Sequence, residues 1–342
     1  MNAKTRVNGR KVLVTDYAWK SLAIERQILG KAGVELIVAE KGGEDELSEL
    51  AGDADGILTC WKAVTQRVIK SATKCQAIGR YGIGLDNIDV QCATAMGIVV
   101  TNVPAYCVDE VSEHAMALLL SCARKVSLYD RTVKAGVYDV RTGAPVYRIR
   151  GKTLGLVGFG RIGRAVYEKA CGFGLRVVVY DSKLSASSLA AFAVETVPFD
   201  ELLRRSDYVS IHLPLTPETR HLFNSEAFRQ MKPTAFVINT SRGGVIDSQA
   251  LFDALSDGQI AGAGLDVLSE EPPAPRDPLV LHPRVVITPH TAFNSEESLQ
   301  DLQSTAATQM ADLLSGKLPE FVVNPEVFGQ TNLRAKLTTA PN

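Results

Sequence analysis

Short apolar runs recur along the first hundred positions, at residues 12–15, 34–39, 56–59, 76–79 and 98–101, with helix-like segments between them. Such alternation predicts βα units around a parallel sheet. Residues 111–123, rich in Ala, Leu and Met, read as a long buried helix, and residues 131–150 lose the periodicity and read as a connecting arm. From residue 151 the rhythm restarts. Strands are expected at 151–157, 176–180, 207–213, 235–239, 260–265 and 285–288, which is the six-strand count of a complete dinucleotide-binding sheet. The segment 295–314 reads as a helix and 319–325 as extended chain. The fold class expected is α/β.

Composition narrows the function classes. The chain has 342 residues, which favours two domains over one. Lys and Arg number 37 against 38 Asp and Glu, and aromatics make up 6%. A formal net charge of −1 offers no electrostatic case for nucleic acid or a membrane surface. No apolar run is long enough to span a bilayer, and residues 1–10 are polar and basic without an apolar core, so a cytoplasmic location is expected. The six cysteines form no C-x-x-C pair and no zinc-site spacing, so no metal is expected and the thiols read as small core residues.

The first chemical signal is Gly158-Phe159-Gly160-Arg161-Ile162-Gly163, set between a strand-like run at 153–157 and a helix-like run from Arg161. In this context Gly158 permits a tight turn, Gly160 lets a pyrophosphate approach the backbone, and Gly163 allows close helix–sheet packing. The amides of Arg161 and Ile162 open the helix, where N–H groups and the dipole favour phosphate. Asp181 ends the next strand, 18 residues after Gly163, and its carboxylate suits the adenosine ribose hydroxyls. NAD is therefore the expected cofactor, and Lys183 nearby leaves NADP open.

Three polar positions follow expected strands: Arg242 after 235–238, Asp266 with Glu271 after 261–265, and His290 after 285–288. Ligands of parallel sheets bind beyond the carboxyl ends of the strands, so all three fall on the ligand edge. Arg242 offers a planar fork to a carboxylate and its neighbouring carbonyl. His290 is suited to proton exchange near neutral pH, and Glu271 to stabilising its imidazolium. Asp266 can add to that field or meet the nicotinamide carboxamide. His114, on the helix after the first domain, reads as a packing residue.

These motifs, taken in order with the segments 79–89, 151–155, 212–219, 239–244 and 288–290, resemble the D-isomer-specific 2-hydroxyacid dehydrogenases along nearly the whole chain. The resemblance implies two Rossmann-like or flavodoxin-like domains with the active site in the cleft between them. It places the substrate domain at 1–103 plus 295–342 and the NAD domain at 104–294. It implies catalytic roles for Arg242, Glu271 and His290, with Glu271 rather than Glu270 matching the D-V-x-x-x-E-P pattern. Cofactor contacts follow at His212, Pro214, Thr219, Thr240, Asp266 and His290 besides the glycine turn. The amides of Gly82, Ile83 and Gly84 would bind the substrate carboxylate, with Trp61, Lys62 and Tyr81 near its side chain. The implied partners are a small 2-hydroxy or 2-oxo acid and a second copy joined through the NAD domain.

Segments 105–114 and 290–297 are closer to the branch named for C-terminal-binding proteins, which holds corepressors as well as bacterial dehydrogenases. An NAD-sensing interaction protein with little turnover is thus the alternative, and a formate or phosphite specialist a further one. Many phosphoglycerate dehydrogenases carry Arg-Ser-x-Thr-Lys-Val-Thr after the third strand, and here Thr59 stands at the Arg position. That departure disfavours a phosphorylated substrate.

Overall fold

A computed structural model describes residues 9–184 and 192–338. The chain forms two compact units, one built from residues up to Tyr106 and from Ser295 onward, the other from Cys107–Asn294.

The first unit holds a parallel sheet of β1 (Arg10–Val14), β2 (Val34–Val38), β3 (Gly56–Thr59), β4 (Ala77–Arg80) and β5 (Val99–Thr101), ordered β2-β1-β3-β4-β5. This order reverses between β1 and β3, which opens a crevice beyond their carboxyl ends. The helix Glu296–Leu314 returns to this unit and packs on the helix Ala23–Lys31. Beyond that helix, the Asn324 side chain accepts from the Val100 N–H at 2.7 Å and donates to the Ile98 carbonyl at 3.0 Å. These bonds tie the returning segment to the β5 edge.

The second unit holds β6 (Thr153–Val157), β7 (Arg176–Tyr180), β8 (Glu195–Thr196), β9 (Tyr208–Ile211), β10 (Phe236–Asn239), β11 (Gly262–Leu265) and β12 (Val285–Ile287). The order is β12-β11-β10-β9-β6-β7-β8, every pair parallel, with the reversal at β6. This is a Rossmann-type sheet. It has one strand more than the six expected: β8 is two exposed residues at an edge and carries no apolar run to announce it. Strands β9, β10 and β11 are buried throughout, as parallel strands covered on both faces must be.

Two other expectations need correcting. The arm begins as a regular helix, Val126–Lys134, and becomes irregular only beyond it. It escaped notice because none of its residues is buried. Five cysteines are buried as expected, and burial pushes Cys60, Cys75 and Cys122 up to about 12, but Cys171 is exposed on the helix Arg161–Gly172. Among the described residues no helix is long and apolar enough to cross a membrane.

Candidate active site

The turn after β6 is built as the glycine spacing predicts. Gly158 has φ +97°, and a Cβ there would sit 2.7 Å from the His212 carbonyl oxygen. At Gly163 a Cβ would meet the Gly158 carbonyl oxygen at 2.4 Å, so the close approach this glycine allows is to the turn itself. A Cβ on Gly160, in contrast, would point into open space. Gly160 caps the helix Arg161–Gly172 with no side-chain hydrogen bond. An open approach over an uncapped helix N-terminus is what a dinucleotide phosphate requires.

Asp181 first locks this turn. Its Oδ2 accepts from the Phe159 N–H at 2.9 Å and its Oδ1 from the Lys183 N–H at 2.9 Å, and each oxygen keeps a lone pair for a further donor. Beyond β9, His212 Nε2 lies 2.9 Å from Ser210 Oγ, and burial pushes the imidazole down to about 4, so it is neutral at ordinary pH. The Thr219 hydroxyl donates to the Pro214 carbonyl at 2.7 Å, which closes the loop carrying both residues. Thr240 Oγ1 is buried without a hydrogen-bond partner among the described residues. Buried hydroxyls are normally paired, so this orphan fits a bound polar ligand. Together these residues fit a dinucleotide.

Arg242, Glu271 and His290 belong to three loops after β10, β11 and β12, and packing brings the loops together. Asn239 shapes the first loop: its amide donates to the Arg242 carbonyl at 2.9 Å and its oxygen accepts from the Ser241 N–H at 3.0 Å. At Gly243 a Cβ would lie 1.9 Å from the Leu268 carbonyl carbon, so only glycine lets the first two loops touch. Glu271 Oε1 accepts from the Leu268 N–H at 2.8 Å, and Oε2 meets His290 Nδ1 at 2.6 Å. Burial pushes the Glu271 carboxyl up, but the His290 bond and charge, the Leu268 N–H and the Arg242 charge outweigh it and hold the group below its usual range. His290 thus keeps Nε2 for another partner, beside the Phe293 ring at 6.5 Å between centroids. The Arg242 side chain is half-buried, with Nη1 donating to the Ser241 carbonyl at 2.7 Å.

Asp266 serves this arrangement from below. Its side chain is only 1% exposed. Oδ1 accepts from the Thr288 hydroxyl at 2.6 Å and the Thr291 N–H at 2.9 Å, and Oδ2 from the Ala292 N–H at 2.9 Å. The carboxylate therefore holds the loop of His290 first, and only Oδ2 keeps capacity for a carboxamide.

The first unit uses a similar device at its own switch point. Asp16, just beyond β1, accepts from the N–H groups of Cys60, Trp61 and Lys62 at 3.0, 2.8 and 3.2 Å. This holds Trp61 at the surface, 48% exposed, and the Lys62 side chain over Gly42. Nothing in the spacing singled out Asp16, Asn239 or Gly243 as site-forming. An acid just beyond β1 and an amide at the last position of β10 were the available signal.

The glycine loop after β4 differs from the expectation in two respects. Tyr81 is 1% exposed and packs edge-on against Trp19 at 4.8 Å, so its ring belongs to the core and cannot line a substrate site. Its alternation with the buried Gly79 and Arg80 of a strand closed on both faces explains this. The Gly82 N–H is spent on the Arg80 carbonyl at 3.0 Å, while the N–H groups of Ile83 and Gly84 have no partner among the described residues. Gly82 has φ +146°, and a Cβ there would press on the Arg80 guanidinium at 2.9 Å.

Residues 116–292 match the family described as D-isomer specific 2-hydroxyacid dehydrogenase, NAD binding domain. A glyoxylate reductase of Korarchaeum cryptofilum is 43% identical over 267 residues, covering 77% of this chain and 80% of that protein. A D-3-phosphoglycerate dehydrogenase of Methanocaldococcus jannaschii is 39% identical over 318 residues, covering 92% of this chain but 59% of that longer protein. Among solved structures, an NADPH-dependent glyoxylate/hydroxypyruvate reductase of Sinorhizobium meliloti, in complex with NADP and malonate, superposes with a TM-score of 0.83. It is 25% identical and covers 96% of this chain and 99% of that one.

Proposed function

The chain belongs to the D-isomer-specific 2-hydroxyacid dehydrogenase family, and we propose that it reduces a small, unphosphorylated 2-oxo acid such as glyoxylate or hydroxypyruvate to the D-2-hydroxy acid. The observation that carries this reading is the 2.6 Å His290–Glu271 pair at the ligand edge of a Rossmann sheet, with Arg242 in the same cluster. The nicotinamide cofactor, when bound, supplies the hydride. His290 gives the Nε2 proton to the substrate oxygen in reduction and takes it back in oxidation, while Glu271 at Nδ1 stabilises the charged ring. Arg242 binds the carboxylate and polarises the carbonyl. The amides of Ile83 and Gly84, without partners among the described residues, are the donors that the first unit offers to an anion.

Thr59 supports the choice of a small acid. Its side chain is buried, accepting from Thr15 at 2.8 Å and donating to the Lys62 carbonyl at 2.9 Å, so this position presents no cation to a phosphate. Asp181 supports NAD, since a carboxylate repels a 2′-phosphate. The dinucleotide seen in the Sinorhizobium relative keeps NADP in the panel. The deciding experiment is turnover of NADH and NADPH with glyoxylate, hydroxypyruvate, pyruvate, bulkier oxo acids and 3-phosphohydroxypyruvate. Consumption with the first two supports the reading. A preference for the phosphorylated acid, or no consumption with any, overturns it.

The second unit also leaves apolar side chains in solvent along one stretch: Val126, Val133, Val137, Val140, Tyr147 and Tyr138, the last 93% exposed. Such a patch marks an interface, and a second copy of this chain is the partner we assign to it. Light scattering at the mass of a dimer, reduced to a monomer by Tyr138→Asp, is the expected result.

A further inference from the structure

The helix Val108–Arg124 packs across β10, β11 and β12. Its close approach depends on Gly264, where a Cβ would meet Leu118 Cβ at 3.0 Å and Cys122 Sγ at 3.4 Å. Residues 114 and 118 share a helix face one turn apart. Residue 266 follows β11 directly, two steps on from Gly264. One turn back along the helix therefore faces two steps forward along the strand, which sets His114 opposite Asp266.

The contacts there run in one direction. His114 Nε2 lies 2.8 Å from Thr288 Oγ1, and the Thr288 hydroxyl lies 2.6 Å from Asp266 Oδ1. A hydroxyl has one proton to give. The carboxylate can only accept it, so Thr288 must accept from His114, and the histidine carries its proton on Nε2. His114 Nε2 is also 3.5 Å from Asp266 Oδ1. The same carboxylate receives the N–H groups of Thr291 and Ala292, and the Asp266 carbonyl accepts from the His290 N–H at 2.8 Å. His290 itself sits at φ +50°. A non-glycine residue in the left-handed region is uncommon and persists only where its surroundings impose it.

We propose that His114 is a positioning residue for the reaction: by donating to Thr288 it orients the Asp266 carboxylate, which holds residues 290–292 in the backbone geometry that presents His290 to Glu271. This inference rests on the reading of His290 as the proton donor.

The test compares His114→Phe, which keeps the ring volume but has no donor, with His114→Gln, whose amide nitrogen reaches the same place. In the Phe variant kcat is expected to fall about tenfold with the KM for NADH within a factor of two. Hydrogen exchange at the Thr291 and Ala292 amides is expected to quicken. The Gln variant should recover both. Thr288→Val should reproduce the Phe phenotype, and combining the two should add little. Equal damage by Phe and Gln, or unchanged exchange in the Phe variant, overturns the inference. The exchange measurement needs no substrate. If the wild-type protein reduced no oxo acid, the proposed reaction would fail while the clamp would still be judged on exchange alone.

Discussion

Two glutamates, one wholly buried in the first unit and one partly open to solvent in the second, have been moved in opposite directions. Glu25, on the helix Ala23–Lys31, is wholly buried beside Trp19 and Tyr81, and neither of its oxygens has a hydrogen-bond partner among the described residues. Burial pushes its carboxyl up, and the nearby Trp19 and Tyr81 only partly offset this. Glu271, its side chain 35% exposed, is also pushed up by desolvation, yet the His290 bond and charge, the Leu268 N–H and the Arg242 charge bring it down. Burial and the donors around a carboxyl therefore act on its pKa in opposite senses. A carboxylate inside a protein stays charged where donors and cations have been arranged around it, and such arrangements cluster at functional sites. In this chain the arranged carboxylate is the one paired with a histidine, and the unarranged one belongs to the core.

Substitutions break the comparison at graded depths. His290→Ala removes the proposed proton donor and is expected to lower kcat by about a thousandfold, within the range for general acid catalysis, while NADH fluorescence titration shows unchanged binding. Loss of NADH binding would show that His290 holds the cofactor instead. Glu271→Gln should cost kcat about a hundredfold, whereas Glu25→Gln should leave kcat within a factor of two; equal losses would erase the distinction between the two acids. Gly243→Ala forces a Cβ to within 1.9 Å of the Leu268 backbone and must separate the loops of Arg242 and Glu271. Urea unfolding should report a loss of about 1–3 kcal/mol, and the Glu25 region, in the other unit, should be unaffected.

The smallest effects are those of pH on stability. Glu25 has a folded pKa above its unfolded value, so its contribution is fully present below the unfolded value and is lost as pH rises through the folded one. Glu271 is the reverse: its contribution is present above the unfolded value and is lost as pH falls through the folded one. Urea midpoints measured from about pH 2.5 to pH 8 should therefore flatten above the ordinary glutamate value in Glu25→Gln and below it in Glu271→Gln. The same sign of change in both variants would contradict the opposite shifts.

The residues differ in how far their roles could be read along the chain. The glycine turn at 158–163 and the strand-end polar residues Arg242, Glu271 and His290 were legible because each depends on local order: an apolar run, then a residue that can turn, donate or ionise. Strand β8 was not legible, because two exposed edge residues, Glu195 and Thr196, bury nothing that leaves a pattern. Tyr81 was misread because its place next to the glycine loop says nothing of which way a ring points once the sheet is covered on both faces. Asp16 and Gly243 passed unremarked as site-forming residues, since the backbone groups they serve lie 44 and 25 positions away.

The sequence by itself determined the class of fold, the dinucleotide turn and the strand-end positions of the candidate side chains Arg242, Glu271 and His290, because periodicity and spacing are properties of neighbouring residues. Only the tertiary structure decided which way each acid is shifted, which amides of the 82–84 loop are without partners, and that His114, 174 residues before Thr288, meets its hydroxyl. Those outcomes depend on desolvation and on hydrogen bonds between distant segments, and neither exists until the sheet and its helices have packed.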